Sequence, residues 1–329
     1  MLKNTGSILL FFAICGLAII NHQDCPAATG QQVQGSTTLN IHKPVIISGR
    51  LGVGYLTGQS YENVYDTDTG RKVSELDWDL SSVFMLNGGV SVQPFSWLKL
   101  NGDVWVKIND GSGDMVDYDW LVEGLDDWTH RSYSTDVDLN TGYMIDVNAE
   151  FPVLNLQGTN ISGFVGYKYD NWEWEARGGT YIYSTYYLRD TIGSFPENEK
   201  GITYEQWFHV PYIGIGFNTE LTRAFLSGRI IFSPFVQAGD EDHHHMRNLL
   251  FEEDFDNGTM IGIDFSGGYH ITEQFSLLGS YHYQKYNEVK GDTTITDTTT
   301  GRQLLYIPGD AASMEHYSHL FSITAMYSF

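Results

Sequence analysis

The sequence predicts an all-β fold, a ten-stranded antiparallel transmembrane β-barrel with long extracellular loops. Three observations carry that prediction. Apolar and polar residues alternate with period two over segments of ten or more residues, enough to cross a bilayer when strands tilt by about 45°. The connections alternate between short and long, as they do when tight turns face the periplasm and long loops face outward. The last segment stops on an aromatic residue, Phe329, where a soluble sandwich would trail off in polar residues.

In chain order the segments fall at 44–57, 75–93, 96–109, 136–152, 159–176, 201–218, 223–238, 255–270, 273–289 and 314–329. Between 139 and 151, Leu139, Tyr143, Ile145, Val147 and Phe151 share one parity, and Asn140, Asp146, Asn148 and Glu150 share the other. Ile261, Ile263 and Phe265 oppose Asp264 and Ser266; Phe275, Leu277, Tyr281 and Tyr283 alternate with Ser276, Ser280 and His282. In the final run Phe321, Ile323, Ala325 and Tyr327 alternate with Ser322, Thr324 and Ser328. Tyr and Phe near the segment ends fit the girdles of a membrane barrel. Short connections lie at Gln93–Phe95, 153–158, 219–222 and 271–272, and long polar ones at 58–74, 110–135, 177–200, 239–254 and 290–313. Closing an even number of strands into a ring pairs every backbone N–H and C=O without water, as lipid demands. With no internal repeat or linker, residues 29–329 are expected to form a single outer-membrane β-barrel domain.

Ahead of that domain come Met1-Leu2-Lys3, an apolar stretch from Ile8 to Ile20, and the small residues Pro26-Ala27-Ala28. This is the order of a secretory signal peptide, placed at residues 1–28. Both cysteines, Cys15 and Cys25, fall within it, so the exported chain carries no thiol for a disulfide scaffold, a zinc-thiolate site or a cysteine nucleophile. The chain is acidic, with 18 basic against 41 acidic side chains and a formal net charge of −23. Such a field repels nucleic acid and draws in basic peptides or proteins. The expected partners are therefore basic peptides or proteins and outer-membrane lipid, with no nucleic acid.

Two acidic motifs carry candidate chemistry, Asp117-Tyr118-Asp119 and Asp240-Glu241-Asp242-His243-His244-His245. Residues two apart in an extended segment project from one face, so Asp117 pairs with Asp119 and Asp242 with His244. Both motifs fall in predicted long loops and hence on the same outer side of the barrel. A groove between them could hold a water, with His244 accepting its proton as it attacks a carbonyl and Asp242 orienting the ring. One conflict stands out: the outward parity of Leu226, Gly228, Ile230 and Phe232 would aim Asp242 and His244 outward too. A bulge near Pro234 or Gly239 is expected to turn them inward. Three consecutive histidines on an extended chain cannot all face one ion, so no metal site is expected. On an isolated match, a solvated acidic loop with no chemistry is the default reading.

Further ordered stretches change that balance: Gly70–Trp78, Met115–Trp120, Ala176–Ser184, Arg189–Pro196, Val210–Gly214 and Asp240–His244. Over essentially the whole exported length the chain resembles the omptin family of outer-membrane aspartyl-type proteases. The resemblance implies a ten-stranded barrel projecting above the membrane and an endopeptidase that cuts at basic Arg or Lys sites on the exterior. Residue by residue it implies catalytic Asp117, Asp119, Asp242 and His244, with Glu62 and Asp240 binding the basic side chain, a role carboxylates suit. It implies no metal or other cofactor apart from a family requirement for lipopolysaccharide. Here the family's alternating Tyr, Glu and Arg run reads Tyr167, Tyr169 and Asn171, and Trp207 stands at a basic family position. Phosphate contacts there lose their guanidinium groups. His243 replaces a residue that is often Glu in the family, which implies an altered pH response. The rival is a non-catalytic barrel acting as an adhesin or small channel; the intact catalytic set argues against it.

Overall fold

The computed structural model describes residues 45–329; the expected signal peptide at 1–28 lies outside them. The described strands are β1 (Ile46–Tyr65), β2 (Lys72–Phe95), β3 (Leu98–Lys107), β4 (Gly113–Asp119), β5 (His130–Leu156), β6 (Thr159–Arg177), β7 (Thr180–Tyr183), β8 (Thr191–Ser194), β9 (Lys200–Glu220), β10 (Ala224–His244), β11 (Leu249–His270), β12 (Phe275–Asp297) and β13 (Arg302–Ser328). They pair in the order β3-β2-β1-β13-β12-β11-β10-β9-β6-β5, and a β3–β5 pairing closes the ring. β3 and β4 together make one stave, because β4 also bridges β2 and β5, while β7 and β8 form a hairpin against β5. Ten antiparallel staves result, as the alternation predicts.

Near the short turns the barrel is apolar outside and polar inside. Leu51, Val53, Val165, Ile213, Ile230 and Ile323 face outward, each at least half exposed, whereas Ser91, Ser162, Ser322 and Thr324 are buried within. This is the inverse of a soluble sandwich and the pattern lipid requires. Charge pairs cross the lumen at this level. Arg229 contacts Asp146 at 2.9 Å and Asp264 at 2.6 Å, and Arg50 contacts Asp103 at 2.7 Å. Above them lies a packed aromatic layer in which Phe208 stacks on Tyr286 at 4.0 Å and Trp172 on His316 at 5.7 Å.

The strands run further than the sequence predicts. β2 has 24 residues, which at about 3.3 Å each is more than twice what a tilted strand needs to cross the hydrocarbon. Much of the predicted loops 58–74, 239–254 and 290–313 is strand instead: β1 continues to Tyr65, β10 to His244, and β12 and β13 run through Asp297 and from Arg302. The alternation from 139 to 151 also breaks. Leu139 is 2% exposed and faces inward, unlike Val147, because the β5–β6 register shifts between Leu139 and Thr141.

Candidate active site

Asp117 and Asp119 sit on β4, not in a loop as the sequence predicts. Both flanks of β4 are hydrogen-bonded: Asp117 pairs with Leu76 of β2 and Ser132 of β5, and Asp119 with Ser74 and His130. A strand held on both sides fixes its side chains more firmly than a loop. The Ser132 hydroxyl donates to Asp117 Oδ2 at 3.3 Å, and Ser74 Oγ lies 3.4 Å from Oδ1.

Asp242 and His244 end β10, also in strand. The register of β10 slips against β11 between Ser233 and Ala238, and against β9 between Phe232 and Gln237. Phe232 and Phe235 both face outward, so one extra residue is absorbed and the parity reverses. Asp240 and Asp242 consequently point inward, 1% and 2% exposed. The irregularity expected near Pro234 is present. His243, now of outward parity, packs against His245 with ring centroids 3.9 Å apart, on the opposite side from the inward-facing Asp242.

Asp242 Oδ2 meets His244 Nε2 at 2.5 Å, and the ring packs edge-on against Phe251. Asp117 feels both residues across the interior. Burial and the Asp119 charge push its carboxyl up to about 7, His244 pulls it down and Asp242 adds to the rise. Asp119 is raised by burial, with Ser74, His130 and Arg247 opposing. Two strands from different parts of the ring thus bring the Asp117–Asp119 pair and the Asp242–His244 pair to one place.

Deeper, Glu62 of β1 and Asp240 of β10 are 2% and 1% exposed. Burial comes first in holding Glu62 well above the usual carboxylate range, then the charges of Asp242, Glu253, Asp240 and Asp117. Tyr204 donates to Asp240 Oδ2 at 2.9 Å, and its ring stacks against both Trp78 and Trp174, which also touch each other. Sequence reasoning missed Glu253, which faces Asp240 directly across the β10–β11 ladder. The cue was available, because Glu253 shares the parity of buried Phe255, not that of its exposed neighbours Glu252 and Asp254.

The residues that the family resemblance aligns with a lipopolysaccharide-binding run meet other protein groups. Tyr167 bonds His209 at 2.6 Å, Tyr169 packs on the same ring, and Asn171 donates to Glu205 at 2.7 Å. Trp207 lies across Gly239, where an added Cβ would come within 2.6 Å of its ring.

Fold and exterior together define the class, an outer-membrane β-barrel, and the comparisons narrow it. The family model described as the Omptin family matches residues 43–329. The plasminogen activator of Yersinia pestis is 34% identical over 276 residues, which span 84% of this chain and 87% of that protein. The outer membrane protease OmpP of Escherichia coli (strain K12) is 29% identical over 90% of this chain and 94% of its own length. Among solved structures, the crystal structure of the outer membrane protease OmpT from Escherichia coli superposes with a TM-score of 0.81 at 27% identity. It covers 86% of this chain and 97% of that one. The chain belongs to the omptin family of outer-membrane proteases.

Proposed function

We propose that this protease is an endopeptidase that cuts peptides and proteins beside basic residues on the exterior side of the outer membrane, using a water activated between Asp117 and His244. The observation that carries the reading is the Asp242–His244 contact at 2.5 Å, set within electrostatic reach of Asp117. Asp242 engages Nε2, leaving Nδ1 to take the proton as the water adds to the scissile carbonyl; Asp242 then stabilises the imidazolium. Asp117 orients the water, and Asp119 sets the charge of Asp117. Glu62 and Asp240 receive the basic side chain, for which a desolvated carboxylate is the natural counter-charge. A channel role fits poorly with a lumen crossed by the Arg229 ion pairs and stoppered by stacked aromatic rings.

The test is turnover of a fluorogenic peptide containing Arg-Arg by the wild type, Asp117→Ala and His244→Ala. Loss of a general base typically costs about 10²–10⁴-fold, so both variants are expected to fall at least a hundredfold in kcat. Equal turnover by all three proteins would falsify the assignment.

A further inference from the structure

A buried acid beside this site has no task in the mechanism above. Glu253 on β11 is 2% exposed, and neither Oε1 nor Oε2 has a hydrogen-bond partner among the described residues. It stands directly opposite Asp240, whose Oδ1 is also unpartnered, and beside Glu62, whose Oε2 is too. No ion pair among the described residues involves any of the three. A buried carboxylate lacking both cation and donor is costly unless it is protonated or a ligand supplies what is missing. Two carboxyls facing each other across a ladder cannot both ionise, so they share a proton.

We propose that Glu253 is a third carboxylate of the basic-residue pocket, that it sets a preference for arginine over lysine, and that the entering guanidinium displaces the proton held between Asp240 and Glu253. The proposal rests on the reading of Glu62 and Asp240 as substrate-binding residues. Counting atoms gives the preference. The open acceptors are Glu62 Oε2, Asp240 Oδ1 and both oxygens of Glu253; a guanidinium offers five N–H donors in a rigid plane, an ammonium three. Trp78, Tyr204 and Trp174 cluster beside Asp240, the two tryptophan rings lying within 24° of parallel to the Tyr204 ring, which places aromatic π-systems next to the acids.

The groups facing the shared proton come from five staves: Glu62 on β1, Tyr204 on β9, Asp242 on β10, Asp254 on β11 and Thr293 on β12. Burial first, then the Asp240 charge, keep Glu253 protonated well above the usual carboxylate range, with the Thr293 side chain opposing. When the cation arrives the proton leaves to solvent, so capture tightens as pH rises.

The experiment compares wild type, Glu253→Gln and Glu253→Asp on two peptides that differ only by Arg or Lys at the cleaved bond. For Glu253→Gln we expect KM for the Arg peptide to rise about tenfold with kcat little changed, and the Arg-over-Lys preference to shrink; Glu253→Asp should recover part of both. Titration calorimetry with an Arg peptide carrying a reduced, uncleavable bond, run in buffers of different ionisation enthalpy, should report release of about one proton by wild type and less by Glu253→Gln. Wild-type KM and Arg-over-Lys ratio in Glu253→Gln, or binding without proton release, overturns the proposal. A wild type that cleaves neither peptide instead sinks the parent reading. If Glu253→Gln does not fold, Glu253→Asp carries the same comparison, and a wild-type KM and ratio there count equally against it.

Discussion

Burial and the Asp119 charge push the Asp117 carboxyl up to about 7, so its ionised form gains population as pH climbs through neutrality. If ionised Asp117 orients the water, kcat/KM rises between about pH 6 and 8. Replacing Asp119 by Asn removes the neighbouring negative charge, lets Asp117 ionise earlier and should move the rise to lower pH at reduced kcat. A profile of kcat/KM against pH for wild type and Asp119→Asn checks this, and an unmoved midpoint counts against coupling of the two acids. At this scale the legible feature of the sequence was spacing. Asp117 with Asp119, and Asp242 with His244, are two apart, and the fold sets each couple at one place. Glu253 stayed hidden because Glu252-Glu253-Asp254 reads as a solvated acidic run. Only the cross-strand position opposite Asp240 reveals that the middle residue turns inward.

β10 shows how parity decides which residues an element turns inward. Its lower half puts Ile230 and Phe232 against lipid, while its upper half puts Asp240 and Asp242 inside, and the register slip between Ser233 and Ala238 reconciles the two. Deleting Phe235 should restore simple alternation and rotate Asp240, Asp242 and His244 to the outer surface. The expected outcome is a barrel that still migrates as folded on an unheated gel but cleaves nothing; retained turnover would mean that the upper strand repairs its register elsewhere. This slip was legible beforehand, because the apolar parity of 226–232 conflicted with the acid–His pair. The full reach of the strands was not. Beyond the membrane the outer face meets water, so polar residues such as Glu241 and Glu252 occupy it and the apolar–polar contrast that marks a strand fades. Stretches such as 239–254 then look like loop although they pair residue for residue.

The molecule as a whole is a closed cylinder braced from within. Arg229 joins its cross-strand neighbour Asp264 to Asp146 of β5 inside the lumen, and Tyr212 and His282 complete the set. Removing the cation by Arg229→Met strands two carboxylates in a low-dielectric interior, at a cost of about 3–5 kcal/mol. A lower apparent Tm in detergent is expected, with kcat of the folded fraction unchanged because these groups lie below the site; a lost kcat at full stability would refute that separation. The ring has one more consequence. Its first and last staves, β1 and β13, meet in a seam where Glu62 sits opposite Met314. If Glu62 receives the basic side chain as proposed, a chain that has not yet zipped that seam lacks one side of the pocket. On that reading assembly doubles as a safety catch, since the pocket is complete only when the cylinder is.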